Sequence, residues 1–124
     1  MEPTDTFTIQ CLIGLEYIYI ESAGEKDFKK FFFEIKRKVS SWPSSGSSAI
    51  SNRMIRMPNG VQLFGIMYTG GIEEYSKVYM ERCRQLNLRW AVIEGDQLVL
   101  SDGSQIALRE CEAYRYNLVP QKQR

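Results

Sequence analysis

The chain contains no histidine. That absence removes the commonest general base and the commonest metal ligand, so Ser–His and Cys–His nucleophilic catalysis are excluded outright. Cysteine is scarce. Cys11, Cys83 and Cys111 are an odd number, widely spaced, with no C-x-x-C pair, and imply neither a disulfide framework nor a zinc set. The expectation is reduced thiols in a cytoplasmic or nuclear protein, with Cys11 and Cys83 packed in the core. A long apolar run is missing too. The longest, Cys11 to Ile20, is interrupted by Gly14 and Glu16 and falls far short of the roughly 20 residues a membrane-crossing helix needs. The opening Met1-Glu2-Pro3-Thr4-Asp5 is acidic where a secretory signal would be basic, so an intracellular chain with no membrane partner is expected.

Net charge is nearly absent as well, at +1. Global attraction for nucleic acid or membrane is therefore excluded, and any electrostatic partner must be read from local clusters. One cluster stands out. Residues 26–56 hold Lys26, Lys29, Lys30, Lys36, Arg37, Lys38, Arg53 and Arg56 against only Asp27 and Glu34. What remains is ordinary for a globular protein: 124 residues, 44% hydrophobic and 25% charged, enough to bury one core as a single domain over 1–124.

Periodicity supplies the elements. Phe7, Ile9, Cys11, Ile13, Leu15, Tyr17 and Tyr19 alternate as one face of a strand over 7–20, and Leu12, Ile18 and Ile20 load the other face toward its end. Ser22-x-x-Glu25 is a capping-box signature, followed by Phe28, Phe32, Ile35, Val39 and Trp42 at helical steps, with Pro43 ending the helix near Ser41 or Trp42. Seven serines within 40–52 predict a flexible loop. Arg53–Met57 and Val61–Tyr68 flank Pro58-Asn59-Gly60 as a hairpin. Thr69-Gly70-Gly71 opens a second helix with the apolar face Ile72, Tyr75, Tyr79, Cys83 and Leu86, stopped at Asn87. Trp90–Ile93, Gln97–Leu100 and Gln105–Leu108 then read as an antiparallel meander, punctuated by Glu94-Gly95-Asp96 and Ser101-Asp102-Gly103-Ser104. Cys111–Val119 adds an optional strand, and the tail 120–124 frays.

The expected fold is α+β, with two layers: a mostly antiparallel sheet carrying two helices on one face. Its order β-α-β-β-α-β-β-β is a ferredoxin-like core with extra C-terminal strands. RNA-recognition modules share the first six elements, but they stack bases on aromatics of their first and third strands. Residues 11–15 and 60–68 place aliphatic residues where those exposed aromatics would stand, so any RNA binding would use another surface.

Four features are candidates for function. At about 100° per residue, Lys26, Lys30, Phe33 and Arg37 share the side of the first helix opposite its apolar stripe, with Lys29 at the edge. This is either a solvated face with one apolar residue or a recognition face. In the second case the cations meet an acidic partner or phosphates, and Phe33 enters a pocket, stacks on a base or contacts a second copy of the chain. Arg53 and Arg56 would extend such a basic surface toward RNA or DNA. Gly70-Gly71 resembles a phosphate cradle only in its glycines, since Glu73 and Glu74 would repel an anion there. Glu94, Asp96 and Asp102 are the carboxylates a magnesium-dependent nuclease would need, although each lies in a turn that already explains it. The reading that follows is a non-catalytic protein-interaction domain, a subunit or adaptor that binds another protein and needs no cofactor. A nucleic-acid-binding module is the first alternative, and a metal-dependent nuclease the second.

Overall fold

The computed structural model describes residues 3–4, 17–39, 47–69 and 72–115. Among them are β1 (Pro3–Thr4), β2 (Tyr17–Glu21), α1 (Glu25–Val39), β3 (Ser47–Arg56), β4 (Gln62–Thr69) and α2 (Ile72–Leu86). β5 (Trp90–Glu94), β6 (Gln97–Leu100), β7 (Gln105–Ala107), a 3-10 turn at Leu108–Glu110 and β8 (Glu112–Arg115) follow. All the strands join one sheet in the order β1-β8-β3-β4-β2-β5-β6-β7, and every pairing is antiparallel. The class is α+β.

Alternation along β2 divides the interior in two, because successive strand residues point to opposite faces. Ile18 and Ile20 pack with Phe28, Phe31, Phe32 and Ile35 of α1, with Tyr75, Tyr79 and Cys83 of α2, and with Met54, Phe64 and Ile66 of the sheet. Tyr19 belongs to a second cluster, with Ile55, Leu63, Ala91, Leu98, Leu100, Leu108, Cys111 and Ala113, to which neither helix contributes. In a flat sheet β8 and β6 would stand about 24 Å apart, five spacings of roughly 4.8 Å. One cluster that takes in both requires the sheet to curl, so that its own strands cover this second face.

The structure departs from several of the sequence expectations. The capping box is not formed. The Phe28 N–H donates to the Gly24 carbonyl at 3.0 Å, so Gly24, two residues after Ser22, is the residue that precedes the helix. The Ser22 hydroxyl donates to the Gly24 carbonyl instead (3.1 Å), and Glu25 pairs forward with Lys29 at 2.9 Å. The serine-rich segment is strand from Ser47 onward, so 47–52 is not loop; residues 40–46 lie outside the described residues. The strand continues because it carries an irregularity. Ile50 faces Ile66, yet Met54 faces Phe64, which leaves three residues of β3 opposite Gly65 alone. Ser51 is buried there, and its hydroxyl accepts the Arg53 N–H at 3.2 Å. A Cβ on Gly65 would lie 3.1 Å from both Ser51 Cβ and Tyr19 Cε2, so the glycine makes room for the bulged strand.

The turns follow their chemistry. At Pro58-Asn59-Gly60, Gly60 adopts φ 92°, its N–H donates to the Met57 carbonyl at 2.8 Å, and the Met57 N–H donates to the Val61 carbonyl at 2.9 Å. α2 ends in a Schellman motif. Asn87 takes φ 57° while the Leu88 N–H reaches the Cys83 carbonyl (2.9 Å) and the Asn87 N–H the Arg84 carbonyl (3.2 Å). Leu86, expected on the apolar face of this helix, is 43% exposed, because the sheet-facing stripe ends at Cys83. The optional last strand is present as Glu112–Arg115, and β1 pairs with it in a way the sequence had not suggested. Residues 7–16 of the expected first strand, Gly70-Gly71 and the tail 120–124 lie outside the described residues.

Candidate protein-interaction surface

α1 is a helix with two very different sides. Phe28, Phe32 and Ile35 are buried at 1% exposure or less, each contributing roughly 1.5–3 kcal/mol by leaving water. Phe31 is buried as well, with its ring centroid 6.1 Å from that of Tyr79 on α2. It was absent from the predicted stripe, though its spacing of four from Ile35 was the signal for it. On the far side Lys26, Lys30, Phe33 and Arg37 are all exposed. Phe33 is 48% exposed, and its ring stands edge-on to Phe32 with centroids 5.2 Å apart. The ring thus packs against one neighbour and leaves about half of its surface exposed. Lys29 is half-buried and paired with Glu25, which removes it from the exposed stripe.

Arg53 and Arg56 belong elsewhere. Arg56 donates to the Tyr114 hydroxyl at 2.9 Å, lies 4.6 Å from the centroid of that ring and approaches Glu112 at 3.9 Å. Arg53 sits opposite Arg115 where β3 meets β8. The basic segment 26–56 is therefore continuous in sequence but divided in space, between a helix face and the β3–β8 ladder. Tyr114, in turn, donates to Glu112 at 3.0 Å, and its phenol is held above its usual range by desolvation and that hydrogen bond.

The three turn carboxylates are not neighbours either. Glu94 and Asp96 sit at one end of β6 and Asp102 at the other, roughly 13 Å apart at about 3.3 Å per strand residue. Asp102 accepts both the Ser104 hydroxyl and the Ser104 N–H, and Arg89 approaches it at 3.3 Å. These contacts hold its carboxyl down at about 2. Arg89 also grips Glu21 at 3.2 Å, tying the end of β2 to the β6–β7 turn. Among the described residues, no group of three Cys, Asp or Glu side chains is placed to hold a metal ion. Cys83 and Cys111 are buried, and burial pushes their thiols up to about 12 and about 11. Cys11 lies outside the described residues.

A feature the sequence did not disclose lies beside the exposed stripe. Between α1 and the C-terminal part of α2 is a groove of about 460 Å³, walled by Ile20, Phe28, Phe31, Leu86 and Leu88. Charged side chains form its rim. Glu34 meets Arg82 across the two helices at 3.5 Å, Glu21 is held by Arg89, and Asp27 and Lys30 complete the edge. Lys30 thus belongs to both the groove and the Phe33 stripe. No helix is long and apolar enough to cross a membrane among the described residues.

No protein-family model, no curated protein and no solved structure matches the chain.

Proposed function

We propose that this chain is a non-catalytic protein-interaction domain, a subunit or adaptor that binds another protein through the outer face of α1. The observation that carries the reading is Phe33, 48% exposed between the exposed cations Lys26, Lys30 and Arg37. An aromatic ring already steadied by a neighbour loses little freedom on binding, and a large apolar ring is the kind of side chain that dominates interface energies. The surrounding cations favour an acidic partner surface and speed its approach.

The run β5-β2-β4-β3, with α1 joining β2 to β3 and α2 joining β4 to β5, supports a ferredoxin-like core, to which β6 and β7 add on one side and β8 and β1 on the other. Such a core hosts many unrelated functions, so the surface rather than the fold supports the interaction reading.

The test compares the chain with its Phe33→Ala variant against a purified protein partner and against single-stranded RNA and duplex DNA, each at low and high salt. The expected result is a protein partner whose affinity falls about tenfold on Phe33→Ala and changes modestly with salt. Nucleic-acid binding that weakens steeply with salt and ignores Phe33→Ala would overturn the proposal in favour of a phosphate-binding surface. A Phe33-dependent dimer would make a second copy the partner.

A further inference from the structure

We infer that Asn59 is a site of slow covalent modification, converted to aspartate and isoaspartate at a rate set by opening of the turn between β3 and β4. Of the four asparagines in the chain, at 52, 59, 87 and 117, Asn59 alone precedes a glycine. The reaction needs the backbone nitrogen of the next residue to reach the side-chain carbonyl carbon, and Gly60 has no side chain to obstruct it. Pro58, Asn59 and Gly60 are all exposed. Among the described residues, no atom beyond the chain neighbours lies within 4 Å of where a Cβ on Gly60 would stand, so water and hydroxide reach the site.

Water is the one co-reactant required. The Gly60 nitrogen attacks Asn59 Cγ, the Cγ–Nδ2 bond breaks, and the proton from Gly60 passes through solvent to the departing ammonia, leaving a cyclic succinimide. Water then opens the ring. Cleavage between nitrogen and Cγ gives aspartate with the main chain as before, whereas cleavage between nitrogen and the main-chain carbonyl carbon gives isoaspartate, whose main chain is longer by the Cβ.

The folded turn opposes the first step. The attacking nitrogen donates its hydrogen to the Met57 carbonyl at 2.8 Å, and the Met57 N–H donates to the Val61 carbonyl at 2.9 Å. Asn59 Oδ1 accepts the Val61 N–H at 3.0 Å, which holds the carboxamide in place. Gly60, at φ 92°, is the left-handed residue that closes a three-residue hairpin loop. In such a loop the residue before it ends a type I turn with ψ of about 0°, so the following nitrogen lies roughly 120° from the alignment with Cβ that ring closure needs. Conversion therefore waits on local opening of the loop. Its two products differ in effect. Aspartate keeps an acceptor for the Val61 N–H, while the longer main chain of isoaspartate displaces Val61 from Met57, which is buried in the second cluster with Val61 packed against that cluster.

The test follows the tryptic peptide 57–77, which holds Asn59 and no other asparagine, by mass spectrometry after incubation of the whole chain at mildly alkaline pH, folded and in guanidinium chloride. The denatured chain should convert Asn59 to both acids, and the folded chain should do so at least about tenfold more slowly. Pro58→Ala loosens the loop without altering Asn59 or Gly60 and should speed conversion in the folded chain while leaving the denatured rate nearly unchanged. Asn59→Asp should melt with the parent chain, and isoaspartate-containing chains should melt lower. A folded chain that converts as fast as the denatured one, or a denatured chain that keeps its asparagine, overturns the inference. A folded rate unmoved by Pro58→Ala, with the variant still folded by its thermal melt, overturns control by the turn.

Discussion

Phe32 and Phe33 are adjacent in the chain and touch edge-to-face at 5.2 Å, yet one is 1% exposed and the other 48%. A step of about 100° around α1 separates core from surface. Phe32 stacks on Tyr79 with centroids 5.9 Å apart and holds the helix to its neighbour, whereas Phe33 leans on Phe32 from outside.

The two rings should answer to different measurements. Phe32→Ala opens a cavity in the shared core and should cost about 3–5 kcal/mol in urea unfolding. Phe33→Ala removes one exposed ring contact and should cost less than about 1 kcal/mol, while abolishing most partner affinity. Equal losses of stability would mean that Phe33 is structural.

Gly65→Ala tests the bulge in β3. The added methyl would sit 3.1 Å from Ser51 Cβ and Tyr19 Cε2, both on buried residues, so neither neighbour can yield cheaply. A loss of about 1–3 kcal/mol is expected. Ser51→Gly in the same chain should recover part of it, a coupling that a double-mutant cycle reads directly.

The buried thiols should be silent. With Cys83 held at about 12 and Cys111 at about 11 by desolvation, neither supplies thiolate at pH 8, and the folded protein should leave both unalkylated by iodoacetamide until denaturant is added. Their raised values also set a sign. An unfolded thiol loses its proton near pH 9 and these do not, so stability should decline from about pH 9 toward 11–12. Rapid labelling of Cys83 at pH 8 in the native state would contradict its burial.

Asp102 titrates at the other extreme. Its carboxyl is depressed to about 2, chiefly by the Ser104 hydroxyl and N–H, with Arg89 adding to it. A depressed acid favours the folded state above its unfolded value and gives up that contribution as pH falls through about 2. Ser104→Ala should move the Asp102 midpoint upward toward the usual carboxylate range, observable as its side-chain carbon shift by NMR. An unmoved midpoint would assign the depression to the Ser104 N–H, which the variant keeps, and to Arg89.

Much of this molecule could be read from its residues, and the omissions share a cause. The spacing of Phe28, Phe32 and Ile35 located α1, Pro58-Asn59-Gly60 located the hairpin, and Asn87 marked the end of α2, because each depends on neighbours within a few positions. The start of β3 was hidden because serines usually mark loops, and only Gly65, across the ladder, makes room for Ser51 inside the sheet. Arg56 reads in the sequence as an extension of the basic surface; its partner Tyr114 stands 58 residues away. The outward direction of Lys26, Lys30, Phe33 and Arg37 needed only the helical period. The groove required Leu86 and Leu88 to be brought beside Phe31, a tertiary arrangement with no local trace.

One property of β2 bears on how the molecule comes apart. Because Ile18 and Ile20 serve the layer beneath the helices while Tyr19 serves the enclosure formed by the curled strands, peeling away either side would strip this strand of half its contacts. Neither half should melt alone. The amides of residues 18–20 should be among the last to trade hydrogen for deuterium, and far-UV ellipticity and aromatic fluorescence should report a single transition.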